Sequence, residues 1–119
     1  MKKILVVEDN EANLYLLNFM LHKCGYEVVE ATTGIEGVDM AIKEKPDLIL
    51  MDIQLPDISG LEATSRIRAS EADGRIPIIA LTSYALAGDK AKLLAAGCTG
   101  YIEKPINPET FIGEIEKYL

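Results

Sequence analysis

Clustered basic residues are missing from this 119-residue chain, in which 12 Lys and Arg stand against 19 Asp and Glu for a formal net charge of -7. Phosphate contacts to nucleic acid need grouped Lys and Arg, so the balance argues against a DNA or RNA surface. It suits a protein that handles a cation. No apolar segment approaches the ~20 residues needed to cross a bilayer, which excludes a membrane-spanning helix. Met1-Lys2-Lys3 leads straight into an apolar run without a small-residue cleavage site, and a cytoplasmic protein is expected. Only two cysteines occur, Cys24 and Cys98, far apart and without metal-ligand spacing. Reduced thiols packed as small apolar groups are expected, and nothing requires a disulfide. No Gly-x-Gly-x-x-Gly follows the first apolar run and no Ser/Thr-rich phosphate loop is present, so a flavin or dinucleotide binder is not indicated. Internal repeats, linkers and low-complexity tracts are also lacking.

What is present can be arranged around one stretch. Leu48-Ile49-Leu50-Met51-Asp52 is an unbroken apolar run that ends on a carboxylate, bounded by Lys45-Pro46 before it and a Pro/Gly-containing stretch to Gly60 after it. Four large apolar residues in succession predict a short strand covered on both faces, as in a parallel sheet. Asp52 then lies at the carboxyl end of that strand, where open α/β sheets form their ligand crevice. The length fits one domain, residues 1–119, that buries about two-thirds of the surface its unfolded form exposes.

Along the chain, Lys3 to Glu8 reads as a first strand that ends in the acidic pair Glu8-Asp9, with Asn10 placed to cap a helix. From Asn10 to Cys24, Leu14, Leu17, Leu21 and Cys24 share one helical face, while Glu11, Tyr15, Asn18 and His22 share the other. His22 is therefore expected to be a solvated surface residue. Gly25 stops the helix, and Tyr26 to Ala31 forms a second strand suited to a sheet edge. Thr33-Gly34-Ile35-Glu36 has capping-box spacing and opens a helix to Lys45, with Ile35, Val38 and Ile42 on a common face. Ser59-Gly60-Leu61-Glu62 repeats the spacing before a helix through Ala69, and Ala72-Asp73-Gly74-Arg75 turns the chain. Pro77 to Thr82 predicts a fourth strand, Ala85 to Ala96 a helix, and Thr99 to Ile102 a fifth strand. Asn107-Pro108 caps a last helix whose buried face is Phe111, Ile112, Ile115, Tyr118 and Leu119. Five alternations of strand and helix call for a parallel sheet with helices on both faces.

Glu8-Asp9, Asp52 and Thr82 then end three of the strands and Lys104 follows the fifth, all at the same sheet edge. Two like charges ~5 Å apart repel by about 3 kcal/mol at an effective dielectric of 20, so Glu8, Asp9 and Asp52 need a counter-cation. Oxygen ligands alone favour Mg²⁺, with Mn²⁺ or Ca²⁺ as substitutes. A carboxylate held on such an ion can attack a phosphoryl group to form an aspartyl phosphate. Singly, Glu8 and Asp9 would do no more than favour a helix dipole, and Thr82 and Lys104-Pro105 would be ordinary strand-end residues. Their joint occurrence carries the chemical reading.

Glu8-Asp9-Asn10, Asp52 in Leu-Met-Asp-Ile-Gln-Leu-Pro-Asp-Ile-Ser-Gly, Ala80 to Ala85, and Tyr101-Ile102-Glu103-Lys104-Pro105 together resemble the receiver domain of bacterial two-component response regulators. The resemblance spans the whole chain. It implies a flavodoxin-like fold with strand order 2-1-3-4-5, Asp52 as phosphoacceptor, and Mg²⁺ held by Asp9 directly, by Glu8 through water and by the backbone carbonyl of Gln54. It further implies that Lys104 pairs with the incoming phosphoryl group and that Thr82 hydrogen-bonds it afterwards. Tyr101 matches the aromatic switch, and the bond before Pro105 is expected to be cis.

A histidine kinase or histidine phosphotransfer protein would be the donor. A downstream effector protein would be the reader, at the surface of the fourth helix, fifth strand and fifth helix; Tyr84, Ala85, Leu86 and Ala87 are candidates for an apolar patch there. With the chain ending at Leu119, no output domain is expected, and the protein would be a monomer or a weak phosphorylation-dependent dimer. A receiver excised from a hybrid histidine kinase shares the same residues. A phosphatase with an aspartyl intermediate is disfavoured, since such enzymes often carry a further acid two residues after the nucleophile and Gln54 occupies that place. A scaffold that is never phosphorylated has no need of the charge cluster.

Overall fold

The computed structural model describes residues 1–71, 76–83 and 87–119. The turn expected at Ala72-Asp73-Gly74-Arg75 and the patch around Tyr84, Ala85, Leu86 and the Ala87 side chain lie outside the described residues. The elements alternate as expected: β1 (Lys3–Val7), α1 (Glu11–Lys23), β2 (Glu27–Ala31), α2 (Gly34–Glu44), β3 (Leu48–Asp52), α3 (Gly60–Ser70), β4 (Ile78–Thr82), α4 (Ala87–Ala96), β5 (Gly100–Glu103) and α5 (Pro108–Glu116). The strands form one five-stranded parallel sheet in the order 2-1-3-4-5. Tyr26 and Pro77 fall just outside their strands, and β5 is shifted one residue towards the C-terminus relative to the span expected from sequence.

Every residue of β3 and β4 is buried, because helices cover both faces of the sheet. Alternation along the strands divides the core into two layers. Ile4, Val6, Leu48, Leu50, Ile79 and Leu81 pack with Leu17 and Leu21 of α1 and Phe111 and Ile115 of α5. Leu5, Val7, Ile49, Met51, Ile78 and Ala80 pack with Ala41 of α2, Ala63 and Ile67 of α3 and Leu93 of α4. Ile112, Tyr118 and Leu119 are only partly buried against the first layer.

The helix starts obey the sequence signals. Asn10 accepts from the Asn13 amide at 3.0 Å, Thr33 from Glu36 at 3.1 Å, Ser59 from Glu62 at 3.1 Å and Asn107 from Glu109 at 3.0 Å. Such caps contribute about 1 kcal/mol each. One expectation needs correction. Cys24 is exposed rather than packed inward, since α1 ends at Lys23 and the chain swings away through Gly25 at φ 85°. Cys98 is buried, as expected. The inner face of α2 is Gly34, Gly37 and Ala41, while Ile35 and Ile42 are 49% and 51% exposed. The cause is close approach: a Cβ at Gly37 would lie 2.8 Å from a Val7 methyl, so only small residues fit between α2 and β1.

At the opposite end of the sheet from the strands' carboxyl termini, Arg68 of α3 ties down the segment after α4. Its Nε donates to the Gly97 carbonyl at 2.9 Å, one Nη to Thr99 Oγ1 at 3.2 Å and the other to Glu71 at 2.8 Å. Thr99 Oγ1 also accepts from the Ile78 amide at 3.1 Å, so one guanidinium links α3, α4 and the start of β4. Among the described residues, no helix is long and apolar enough to cross a membrane.

Candidate functional site

The parallel register brings the reactive side chains together. Val7 lies opposite Met51, Asp52 opposite Leu81, and Thr82 opposite Glu103, so the residues that close β1, β3 and β4 share one edge. Glu8, Asp9 and Asp52 each offer a carboxylate oxygen within 4.8 Å of the others. Glu8 is fully buried, Asp52 is 4% exposed, and Asp9 faces solvent. Lys104 reaches over from beyond β5, its ammonium 3.1 Å from Glu8 Oε1 and 3.0 Å from Asp52 Oδ1. Its backbone amide donates to the Thr82 carbonyl at 2.7 Å, which joins the lysine to the end of β4. The Lys104-Pro105 peptide is cis.

One ammonium does not balance three carboxylates. Burial, reinforced by neighbouring Asp52 and opposed by Lys104 and Asn13, pushes the Glu8 carboxyl up to about 7. Burial alone would depress the Lys104 ammonium, but Asp52 and Glu8 outweigh it and hold that group above its ordinary range. An all-oxygen donor set with excess negative charge fits a hard divalent cation. Asp9, Asn13, Asp52, Gln54, Ser83 and Lys104 line an open cleft of about 590 Å³ above the cluster.

The remaining expected residues have different placements. Gln54 is exposed at the cleft, and its backbone N–H donates to Asp52 Oδ1 at 3.3 Å. Thr82 is buried at the end of β4. Tyr101 is half-buried on β5 and lines a separate groove with α4 and α5. His22 is exposed on α1, as its helical phase indicated.

Three contributors carry no clear sequence signal. Asn13 lines the cleft from the first turn of α1, a position that no motif marks. Gly60 packs directly beneath the Asp52 backbone. Asp57 accepts from the Gly34 amide at 2.7 Å and the Ile35 amide at 2.9 Å, which fastens the segment after Asp52 to the amino end of α2. A Pro-Asp-x-Ser-Gly string signals a turn, but it does not say that the aspartate reaches another helix.

Those amides hold the Asp57 carboxyl down to about 2. A carboxyl with a depressed folded-state value contributes stability that is complete above its ordinary range and is lost as the pH falls through about 2. In thermal melts, Asp57→Asn should lower the midpoint at pH 7 and shrink the drop between pH 5 and pH 2. An unchanged acid profile would show that the helix tie contributes nothing.

Lys104→Met leaves two buried carboxylates without their cation. Breaking a buried pair costs 3–5 kcal/mol, and the open side of the cleft reduces this to about 2 kcal/mol for metal-free protein at pH 8. Glu8 binds its proton more tightly in the folded chain, so its contribution to stability falls as pH rises from its ordinary range to about 7. The Lys104→Met penalty should therefore be smaller at pH 5.5 than at pH 8, measured by urea unfolding in a chelator.

Residues 4–116 match the family described as the response regulator receiver domain. The polar-differentiation response regulator DivK of Brucella ovis is 44% identical over 118 residues, covering 99% of this chain and 96% of that protein. Chemotaxis protein CheY4 of Vibrio cholerae superposes with a TM-score of 0.94 at 32% identity, covering 100% of this chain and 99% of its own. The receiver domain of a sensor histidine kinase from Pseudomonas aeruginosa, solved with a magnesium ion coordinated in its active site cleft, has a TM-score of 0.89 and 40% identity. That match covers 98% of this chain and 96% of the other. With its strand order, its acidic cluster and a family match over nearly its full length, the chain belongs to the response regulator receiver domains of two-component signalling.

Proposed function

We propose that Asp52 accepts a phosphoryl group from a phosphohistidine on a histidine kinase or histidine phosphotransfer protein. The observation that carries this reading is the Asp52 carboxylate at the end of β3, grouped with Glu8 and Asp9 and 3.0 Å from the Lys104 ammonium. A carboxylate oxygen of Asp52 attacks phosphorus from the side opposite the leaving imidazole. The new O–P bond forms as the N–P bond breaks, and the imidazole nitrogen keeps the electron pair. Lys104 moves from carboxylate to phosphoryl oxygens and neutralises charge on them. A magnesium ion held by Asp9, Asp52 and the Gln54 carbonyl, with Glu8 acting through water, would supply further charge neutralisation; Mn²⁺ or Ca²⁺ would substitute. Thr82 then hydrogen-bonds the phosphorylated carboxylate, and Tyr101 turns inward as the readout.

The protein acts in the cytoplasm and signals through contacts with an effector protein, as a monomer or a weak phosphorylation-dependent dimer. Similarity to DivK across almost the whole of both chains favours a single-domain regulator, whereas similarity to a sensor-kinase receiver supports the excised-module reading. The chain carries Gln54 where an aspartyl-intermediate phosphatase would need a second acid, which disfavours a turnover enzyme. The test is intact mass after incubation with Mg²⁺ and acetyl phosphate. A single phosphoryl addition that disappears in chelator is expected, and an unmodified mass would refute the assignment.

A further inference from the structure

The groove between α4, β5 and α5, about 610 Å³ in volume, has Lys90, Tyr101 and Glu103 along one wall. Residues 101 and 103 are two apart on a strand, so their side chains leave the sheet on the same face. Lys90 of α4 lies over that face, with its Nζ 5.3 Å from the centroid of the Tyr101 ring. The Tyr101 hydroxyl, with help from the Glu103 carboxylate, holds the Lys90 ammonium above its ordinary range. One exposed ammonium thus stands beside a single tyrosine ring, in the field of the next carboxylate along the strand.

We propose that Lys90 is a positioning residue that holds Tyr101 towards the groove and so sets how readily the ring turns inward. The inference rests on the reading of Tyr101 as the aromatic that responds to phosphorylation of Asp52. A ring that turns inward leaves the ammonium without its aromatic partner and in the field of the Glu103 carboxylate. The surface offered to an effector then changes in charge as well as in shape. An exposed ammonium beside a half-buried ring biases such an equilibrium by roughly two- to fivefold, enough to tune a switch without locking it.

The test is fluorine NMR on protein labelled with 3-fluorotyrosine, in which Tyr101→Phe identifies one of the five tyrosine signals. Spectra are recorded with Mg²⁺ alone and with Mg²⁺ plus acetyl phosphate. In unphosphorylated protein, Lys90→Met should move the Tyr101 signal towards its phosphorylated position, with the inward-to-outward ratio rising roughly two- to fivefold. Lys90→Arg keeps a cation over the ring and should restore the original position. By linkage, the affinity for beryllofluoride, a reversible phosphoryl mimic, should rise in Lys90→Met by up to the same factor. A Tyr101 signal that Lys90→Met leaves in place overturns the role of Lys90. A signal that acetyl phosphate does not move, although the mass shows phosphorylation, overturns the switch itself and the inference with it.

Discussion

Asp52→Asn should abolish phosphoryl uptake from acetyl phosphate and, in metal-free protein at pH 8, raise the thermal midpoint. The first effect is total because a carboxamide is neither an anionic nucleophile nor able to form an acyl phosphate in one displacement. The second comes from charge: Asp52 and Glu8 are both buried and share one ammonium at 3.0 and 3.1 Å. Removing one carboxylate leaves Lys104 to Glu8 and relieves repulsion from both Glu8 and Asp9, about 3 kcal/mol each at an effective dielectric near 20, which exceeds the attraction to Lys104 lost at 3.0 Å by about 1 kcal/mol. For a chain of this length that is about 4 °C. Mass spectrometry and melts on the same samples decide the matter. A variant that stays reactive refutes the acceptor assignment, and one that melts lower refutes the account of excess negative charge.

Gly60→Ala should be the most damaging one-methyl change at this end of the sheet. The glycine amide donates to the Ile53 carbonyl at 2.9 Å, which draws α3 against the end of β3. A Cβ there would overlap the Asp52 carbonyl oxygen and sit 2.8 Å from the Ile53 Cα. Both neighbours are backbone, with no flexible side chain to swing aside. Overpacking of this kind costs about 3 kcal/mol, or a midpoint lower by about 12 °C, because β3 and α3 must separate or Asp52 must shift. Gly113→Ala in α5 is the control: nothing lies within 4 Å of its added Cβ, and helix propensity predicts a gain of up to about 1 kcal/mol. Equal losses in the two variants would remove the steric explanation.

Features that rest on local chemistry were legible in the sequence. Asn10, Thr33, Ser59 and Asn107 cap helices where their spacing indicated, since capping depends on a few neighbouring residues. The apolar runs of β3 and β4 announced burial on both faces, and alternation of elements implied the parallel sheet, so the gathering of Glu8, Asp9 and Asp52 could be inferred from the residues alone. Periodicity put Ile35, Val38 and Ile42 on one face of α2 but did not give how closely the helix lies to the sheet, because it counts hydrophobicity and ignores separation. Two glycines and an alanine let α2 approach Val7 so closely that Ile35 and Ile42 are left outside. Asp57 and Lys90 were illegible for a related reason: each acts on an element distant in sequence, across a loop in one case and a groove in the other.

The guanidinium of Arg68 has a mechanical consequence. It fastens the residues just beyond α4, and Ser65 donates to the carbonyl of the helix's last residue, Ala96, so the ten-residue rod is anchored most firmly at that end. At 1.5 Å per residue the rod is about 15 Å long, and a tilt of about 4° carries its other tip roughly 1 Å. With that end held, any displacement of α4 would be angular, its arc widest at the tip nearest the acidic cluster.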